Sequence, residues 1–385
     1  MEVTKLTPIA GLNMESTLIT ELTARKSTKL MGHFPFTLDY RTGDATEHHV
    51  EVVAKVKPLD EEIVMMVRAM ASMCGGQIAS NYNKYYPLLG FAGCHGCELA
   101  IYAQAAEPFR KYLPKVYGII EDPDREAYIL IMELLRDMVL MNTEDDVSGW
   151  SQPHIDHIDG KPTWGAGFRE RVIDGLAELH SVWYGREEEL LAQPWLGRVT
   201  TAEHMVEMTP LWEALEVYAA DEFPDLFPPR VVAYHLEFVR TIGEWWPKME
   251  AMPRTLIHND FNPRNLCLRP TNQGLRLCVY DWGLATIGVP QHDLAEFLAF
   301  TLDPTVTKAE VDHYVELHRT RLEHHAGVSI DPKMWRDGYR YALMDLVVNR
   351  LAFYMMAHTF RHYGFMERLV ATMRKIVRME VGLDS

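Results

Sequence analysis

The sequence predicts an α+β protein built as two lobes, a small strand-rich one followed by a large helical one. Three observations carry this prediction. At 385 residues the chain exceeds what one compact core usually organises. Period-two alternation of apolar and polar residues is concentrated before Glu133. Beyond that point apolar residues recur at helical spacing and strand signals become rare. The first lobe is therefore expected over residues 1–133 and the second over residues 134–385.

Within the first lobe, FTLDY and HVEVVAKVKP flank the turn-rich RTGDATEH and read as a hairpin over residues 37–57, which Pro58 closes. Alternation places Lys55 and Lys57 on one face. LDEEIVMMVRAMASM opens on acidic residues and carries Ile63, Val64, Val67, Met70 and Met73 at helical spacing, the pattern of an amphipathic helix. After the glycine-punctuated LLGFAGCHGC, a second helix is expected from Glu98 to about Phe109. LPKVYGIIEDPDREAYILIMELL then reads as two strands about an Asp-Pro-Asp turn. In the second lobe, GFRERVIDGLAELHSVWYG is strongly helical, and EFPDLFPPRVVAYHLEFVRTIGEWWPKM reads as one proline-bounded helix. Three more helices are expected in the last eighty or so residues. The only strand pair expected there is NLCLRP with LRLCVYDWG, joined by TNQG.

Composition narrows the function. A formal net charge of −16 disfavours a nucleic-acid ligand, which needs a basic face. No uncharged apolar run is long enough to span a bilayer, and MEVTKLTPIAGLNMEST lacks the architecture of a secretory signal. Five cysteines, an odd number in a long chain, fit reduced thiols in the cytoplasm. The CHGC quartet has metal-ligand spacing but too few neighbouring ligands for a zinc site.

Chemistry concentrates in HNDFNPRN, residues 258–265. A histidine, an aspartate two residues later and an asparagine five beyond that, followed by a hairpin opening onto DWG, form the pattern with which kinases assemble a phosphoryl-transfer site. The transferred group spreads negative charge over its oxygens, so the site needs a hard divalent cation held by oxygen ligands. Asn265 and Asp281 are the expected metal ligands. Asp260 is expected to orient the acceptor hydroxyl and take its proton, with His258 bracing the loop and Arg264 neutralising phosphate charge or pairing with a carboxylate.

The stretches HNDFNPRNLCL and VYDWGLATIGVPQHDLAEFLAF, with LAELHSVWYG upstream, resemble the aminoglycoside phosphotransferase and choline kinase-like family. The resemblance is good from Leu176 to Phe300 and fainter in the first lobe. It implies a protein kinase-like fold and an ATP- and Mg2+-dependent phosphotransferase acting on a small-molecule hydroxyl. On that plan Lys55 binds the α and β phosphates, with Lys57 in reserve, and Glu98, ahead of Glu62, holds the lysine. The backbone of Met132, Glu133 and Leu134 meets adenine. No Gly-x-Gly precedes the Lys55 strand, so Ser27, Thr28 and Gly32 stand where a phosphate-covering loop is expected. Asp345, Asn349, Tyr354 and His358 are candidates to line the acceptor pocket. The acidic second lobe and its aromatics suit an amine or quaternary ammonium acceptor, or else a flat phenolic or polycyclic alcohol. The protein would act as a monomer or homodimer, without nucleic acid or membrane. The alternatives are a kinase-fold nucleotide-binding regulator with little turnover and a protein kinase.

Overall fold

The computed structural model describes residues 2–10, 31–44, 46–90, 93–140, 157–158, 161–162 and 164–382. Ser27 and Thr28 lie outside them; Gly32 opens a strand with φ +115°.

The first lobe is built on an antiparallel sheet of β1 (Glu2–Pro8), β2 (Gly32–Arg41), β3 (Glu47–Val56), β4 (Val116–Asp122) and β5 (Ala127–Glu133), in the order β1-β2-β3-β5-β4. The expected β2–β3 hairpin pairs Thr37 with Glu51 and His33 with Lys55. The alternation that marked β3 buries Val53 against the helices and threads Lys55 into the interior. Strand β1 escaped the sequence reading because every one of its residues is exposed, which leaves no apolar face to detect.

Between β3 and β4 lie α1 (Asp60–Cys74), α2 (Gly76–Tyr85), α3 (Cys94–Tyr102) and α4 (Glu107–Tyr112). Helix α1 has the expected acidic first turn. Helix α2 was not anticipated, since only Ile78, Tyr82 and Tyr85 of its ten residues are buried. The single helix expected from Glu98 to Phe109 is corrected to two: α3 starts earlier, at Cys94, and ends at Tyr102, and Pro108 lies in the first turn of α4.

The second lobe contains α5 (Ala166–Ser181), α6 (Thr209–Glu222), α7 (Pro229–Arg240) and α8 (Ile242–Glu250). Helices α7 and α8 replace the one proline-bounded helix of the sequence reading, with the break at Thr241. Four strands follow: β6 (Thr255–Ile257), β7 (Leu266–Thr271), β8 (Gly274–Val279) and β9 (Thr286–Gly288). The β7–β8 hairpin was expected; the β6–β9 pair was not, because three-residue strands carry no period. Together they clamp residues 258–265 and 281–285 between two ladders. Gly175 of α5 lets the hairpin come close, since a Cβ there would lie 3.0 Å from Leu277.

The remainder is α9 (Gln291–Thr301), α10 (Lys308–Ala326), α11 (Pro332–Asp345), a π-helical turn (Leu346–Leu351), α12 (Ala352–Phe360) and α13 (Met366–Val381). Helix α11, the π turn and α12 run on without interruption, so the three helical runs expected here are present. Every residue of α9 is buried, which makes it the axis of the helical lobe. A small strand-rich lobe joined to a large helical one, with the HNDFNPRN loop at the sheet side of the helices, is a two-lobed protein kinase-like fold.

Candidate active site

Strand β3 carries Lys55 into the interior, and helix α3 presents Glu98 to it. Lys55 Nζ donates to Glu98 Oε1 at 2.8 Å and to Asp281 Oδ1 at 2.6 Å. Lys57 donates to the other Glu98 oxygen, Oε2. Glu98 is fully buried and the two lysines nearly so, whereas the Asp281 side chain keeps 36% of its surface exposed. One carboxylate thus accepts from both candidate lysines, and one of them bridges to the DWG aspartate.

The charges here tune one another. Burial alone would raise the carboxyls of Glu98 and Asp281, but the two ammonium groups hold both below their usual range. Burial opposes the Lys57 charge, and Glu98 more than restores it. His33, paired with Lys55 in the β2–β3 register, is pushed down to about 4 by burial and then by the Lys55 charge, so it stays neutral at pH 7. Asp281 sits at φ 63°, as does Asn259 at φ 62°, and both strained residues flank the site.

The second half of the site is the loop after β6. Its backbone is fastened by two acids on α9. His258 N–H and Asn259 N–H donate to Asp293 at 2.7 and 2.9 Å, and Phe261 N–H donates to Glu296 Oε2 at 2.7 Å. His258 braces the DWG turn, its Nε2 lying 3.0 Å from the carbonyl of Tyr280 and its ring 4.6 Å from that of Trp282. Asp260, 19% exposed, accepts from Asn262 Nδ2 at 2.9 Å on Oδ1 and from Asn265 Nδ2 at 2.7 Å on Oδ2. The Tyr354 hydroxyl lies 3.1 Å from Asp260 Oδ1 and 2.7 Å from Glu296 Oε1, with one proton between two acceptors. A carboxylate has about four acceptor positions, so Oδ2, with one donor, keeps room for a hydroxyl.

Asn265 and Asp281 come together through the backbone: Tyr280 N–H donates to the Asn265 carbonyl at 2.9 Å. Asn265 uses its amide nitrogen on Asp260, which leaves Oδ1 without a hydrogen bond among the described residues. Asp281 Oδ2 is likewise unengaged. Two free hard oxygens on neighbouring turns suit a magnesium ion that takes its remaining ligands from phosphate and water. Among the described residues, no cluster of three or more His, Cys, Asp or Glu could hold a metal unaided.

The structure adds detail to two expectations. Met132, Glu133 and Leu134 do not offer free amides to adenine. Met132 is a ladder residue between Val53 and Val116, Glu133 N–H donates to the Lys115 carbonyl at 2.9 Å, and Leu134 N–H donates to the Glu51 carbonyl at 3.0 Å. The Glu133 carboxylate is taken by Arg269 and by Lys115 N–H. Register, a non-local property, uses these groups up. Of the two roles expected for Arg264, the carboxylate pairing is present: Nη2 lies 3.8 Å from Asp260 Oδ1. Its Nε donates to Asn262 Oδ1 at 3.0 Å, and its guanidinium lies 5.5–5.7 Å from the ring centres of Phe300, Tyr354 and Phe365.

Of the acceptor-pocket candidates, Tyr354 reaches Asp260. Asp345 is buried between Asn349 Nδ2 at 3.0 Å and His292 Nε2 at 3.2 Å, and buried His358 Nδ1 accepts from Tyr363 N–H. Asp293 and Glu296 were not assigned a role from sequence, although DLAEFLAF held the signal: two acids three residues apart in an otherwise apolar helical run. Such acids are buried only where something donates to them.

Solved structures similar to this chain include a choline kinase from Cryptosporidium parvum, 9% identical, with TM-score 0.47, covering 98% of this chain and 89% of that one. The choline kinase LicA from Streptococcus pneumoniae is 11% identical, with TM-score 0.44 and coverages of 98% and 94%. An aminoglycoside phosphotransferase from Streptomyces rimosus, in complex with ADP and streptomycin, is 14% identical, with TM-score 0.37 and coverages of 82% and 90%. A comparison with curated proteins finds no match. The model of the phosphotransferase enzyme family, APH, matches residues 113–325, more than half of the chain and all of the HNDFNPRN and DWG segments. By that match the chain belongs to the phosphotransferase enzyme family.

Proposed function

We propose that this protein is an ATP- and magnesium-dependent kinase that phosphorylates a hydroxyl group of a small molecule. The observation that carries the reading is Lys55 bridging Glu98 and Asp281, with Tyr280 N–H, next to Asp281, donating to the carbonyl of Asn265, whose side chain donates to Asp260. Residues 1–133 would bind the nucleotide and residues 134–385 the acceptor, in the cytoplasm, as a monomer or homodimer, without nucleic acid or membrane. Among the described residues, no helix is long and apolar enough to cross a membrane.

In this scheme Lys55, held by Glu98, neutralises the α and β phosphates. Asn265 Oδ1 and Asp281 Oδ2 would hold the magnesium, which supplies charge neutralisation when bound. Asp260 receives the acceptor hydroxyl at Oδ2 and takes its proton as the oxygen bonds to the γ-phosphorus and the bridging P–O bond to ADP breaks. Catalysis rests on positioning and electrostatics, with no covalent enzyme intermediate. The test is incubation with ATP, magnesium and pooled small alcohols and phenols, read as acceptor mass gain of one phosphate. ADP binding with no acceptor modified across a broad pool would identify a nucleotide-binding regulator instead.

A further inference from the structure

Of the four charged side chains in the lysine half of the site, Lys57 is the one to which the scheme above gives no part. Its backbone continues the β3 ladder, Lys57 N–H donating to the Tyr128 carbonyl at 2.9 Å, and Pro58, with no N–H to donate, follows directly. The side chain runs inward to Glu98 Oε2, its sole ion-pair partner among the described residues. Its ammonium also rests on the DWG turn: a Cβ built on Gly283 would lie 3.1 Å from Lys57 Nζ and 3.8 Å from Glu98 Oε2. Lys57 thus ties β3 to α3 and packs both against the turn that carries Asp281.

The two lysines are not equivalent. Lys55 divides itself between Glu98 Oε1 and Asp281 Oδ1, and the Asp281 side is the partly exposed one. Lys57 has Glu98 alone and is buried among β3, α3 and the turn. Phosphate charge arriving beside Asp281 would draw Lys55 toward the open side. With a single lysine, that movement would loosen the only cation on a fully buried carboxylate, and an unpaired buried charge is strongly destabilising. With Lys57 in place, Glu98 keeps a partner throughout, and the pair left behind is neutral.

We propose that Lys57 is a positioning residue: as the standing partner of Glu98 it holds α3 against the DWG turn and leaves Lys55 free to pass from Asp281 to a nucleotide phosphate. The inference rests on the nucleotide-binding part of the kinase reading above. Lys57 acts through Glu98 and does not touch the nucleotide.

The test compares ADP with adenosine, each in the presence of magnesium, by calorimetry. Adenosine lacks phosphates, so a general loosening of the fold weakens both ligands, whereas a misplaced Lys55 weakens ADP alone. Wild type should prefer ADP by about tenfold or more. Lys57→Met should cut that preference by about three- to tenfold with adenosine affinity unchanged, because Glu98 then competes with phosphate for Lys55. Adding Lys57→Met to Glu98→Gln should raise the melting temperature of the single variant, since one ammonium then faces Asp281, and leave its ADP preference unchanged. Should Lys57→Met alone not fold, this charge-balanced double variant set against Glu98→Gln decides the matter. A Lys57→Met protein that keeps the full ADP preference overturns the proposal and leaves the kinase reading standing, as does one that weakens ADP and adenosine alike. A further fall in ADP preference when Lys57→Met is added to Glu98→Gln overturns it too, and assigns Lys57 to the phosphates directly. A wild type with no preference for ADP over adenosine counts against the nucleotide reading itself, and the inference falls with it.

Discussion

Around Asp281, charge is balanced by charge: two buried lysines share one buried glutamate, and one of them reaches across to the aspartate. Around Asp260 the hydrogen bonds come from neutral donors, asparagine amides and a tyrosine hydroxyl, while the Arg264 guanidinium stands off at 3.8 Å. The first arrangement joins elements from both lobes: β3, α3 and the turn after β8. The second lies wholly within the helical lobe. The lysine half therefore depends on how the two lobes sit, whereas the aspartate half is held by hydrogen bonds within one lobe. Under the proposed roles this fits a base that is aimed in advance of the acceptor.

The sharpest way to break this contrast is Asp260→Asn, which keeps the shape and removes the proton acceptor. Turnover should fall by about 10²–10⁴-fold, with ADP affinity, measured by calorimetry, changing little. A comparable loss of ADP affinity would mean that the two halves are one unit. Next comes Glu98→Gln, which leaves two buried ammonium groups facing one neutral amide. Urea denaturation should show a loss of about 3–5 kcal/mol, far beyond what a surface pair contributes.

The support behind the aspartate half predicts a pH effect. Burial works against the His292 charge, but Asp293 and Asp345 raise the group to about 9 from an ordinary 6.5. The folded chain thus keeps a proton that the unfolded chain releases. The stabilisation is complete below the lower value and disappears as pH rises through the upper one. It amounts to on the order of 3 kcal/mol. Urea midpoints at about pH 6 and about pH 10 should differ by more in the wild type than in His292→Gln. The smallest of the four effects separates the two lysines. Lys55→Met should weaken ATP binding by roughly 10- to 100-fold, the worth of a charge-assisted contact, and Lys57→Met by clearly less. The reverse order would make Lys57 the phosphate lysine.

The two halves also differed in how well the sequence announced them. Asp260, Asn265 and Asp281 stand at short fixed spacings around a hairpin whose register follows from local turn chemistry, so they were legible together. Lys55 and Glu98 lie 43 residues apart and meet as paired, but the sharing of Glu98 with Lys57 was not legible, because alternation says only that two side chains share a face. The state of the backbone amides at the expected adenine contacts was illegible for a related reason. Whether Glu133 and Leu134 have free amides depends on Lys115 and Glu51, neighbours set by sheet register rather than by sequence. Overall architecture was the most legible level, and the misses there were elements too short or too exposed to carry a period.

The π turn at Leu346–Leu351 has a consequence for how this scaffold can change. Its looser winding fits an additional residue into a helix that is otherwise continuous from Pro332 to Phe360. Excising a single residue there would close the wide turn to ordinary winding while the helix beyond it keeps its phase, so Tyr354 would still face the loop. A one-residue deletion would thus confine its effect to the wall formed by Leu346–Leu351 and leave the Tyr354 contact with Asp260 in place.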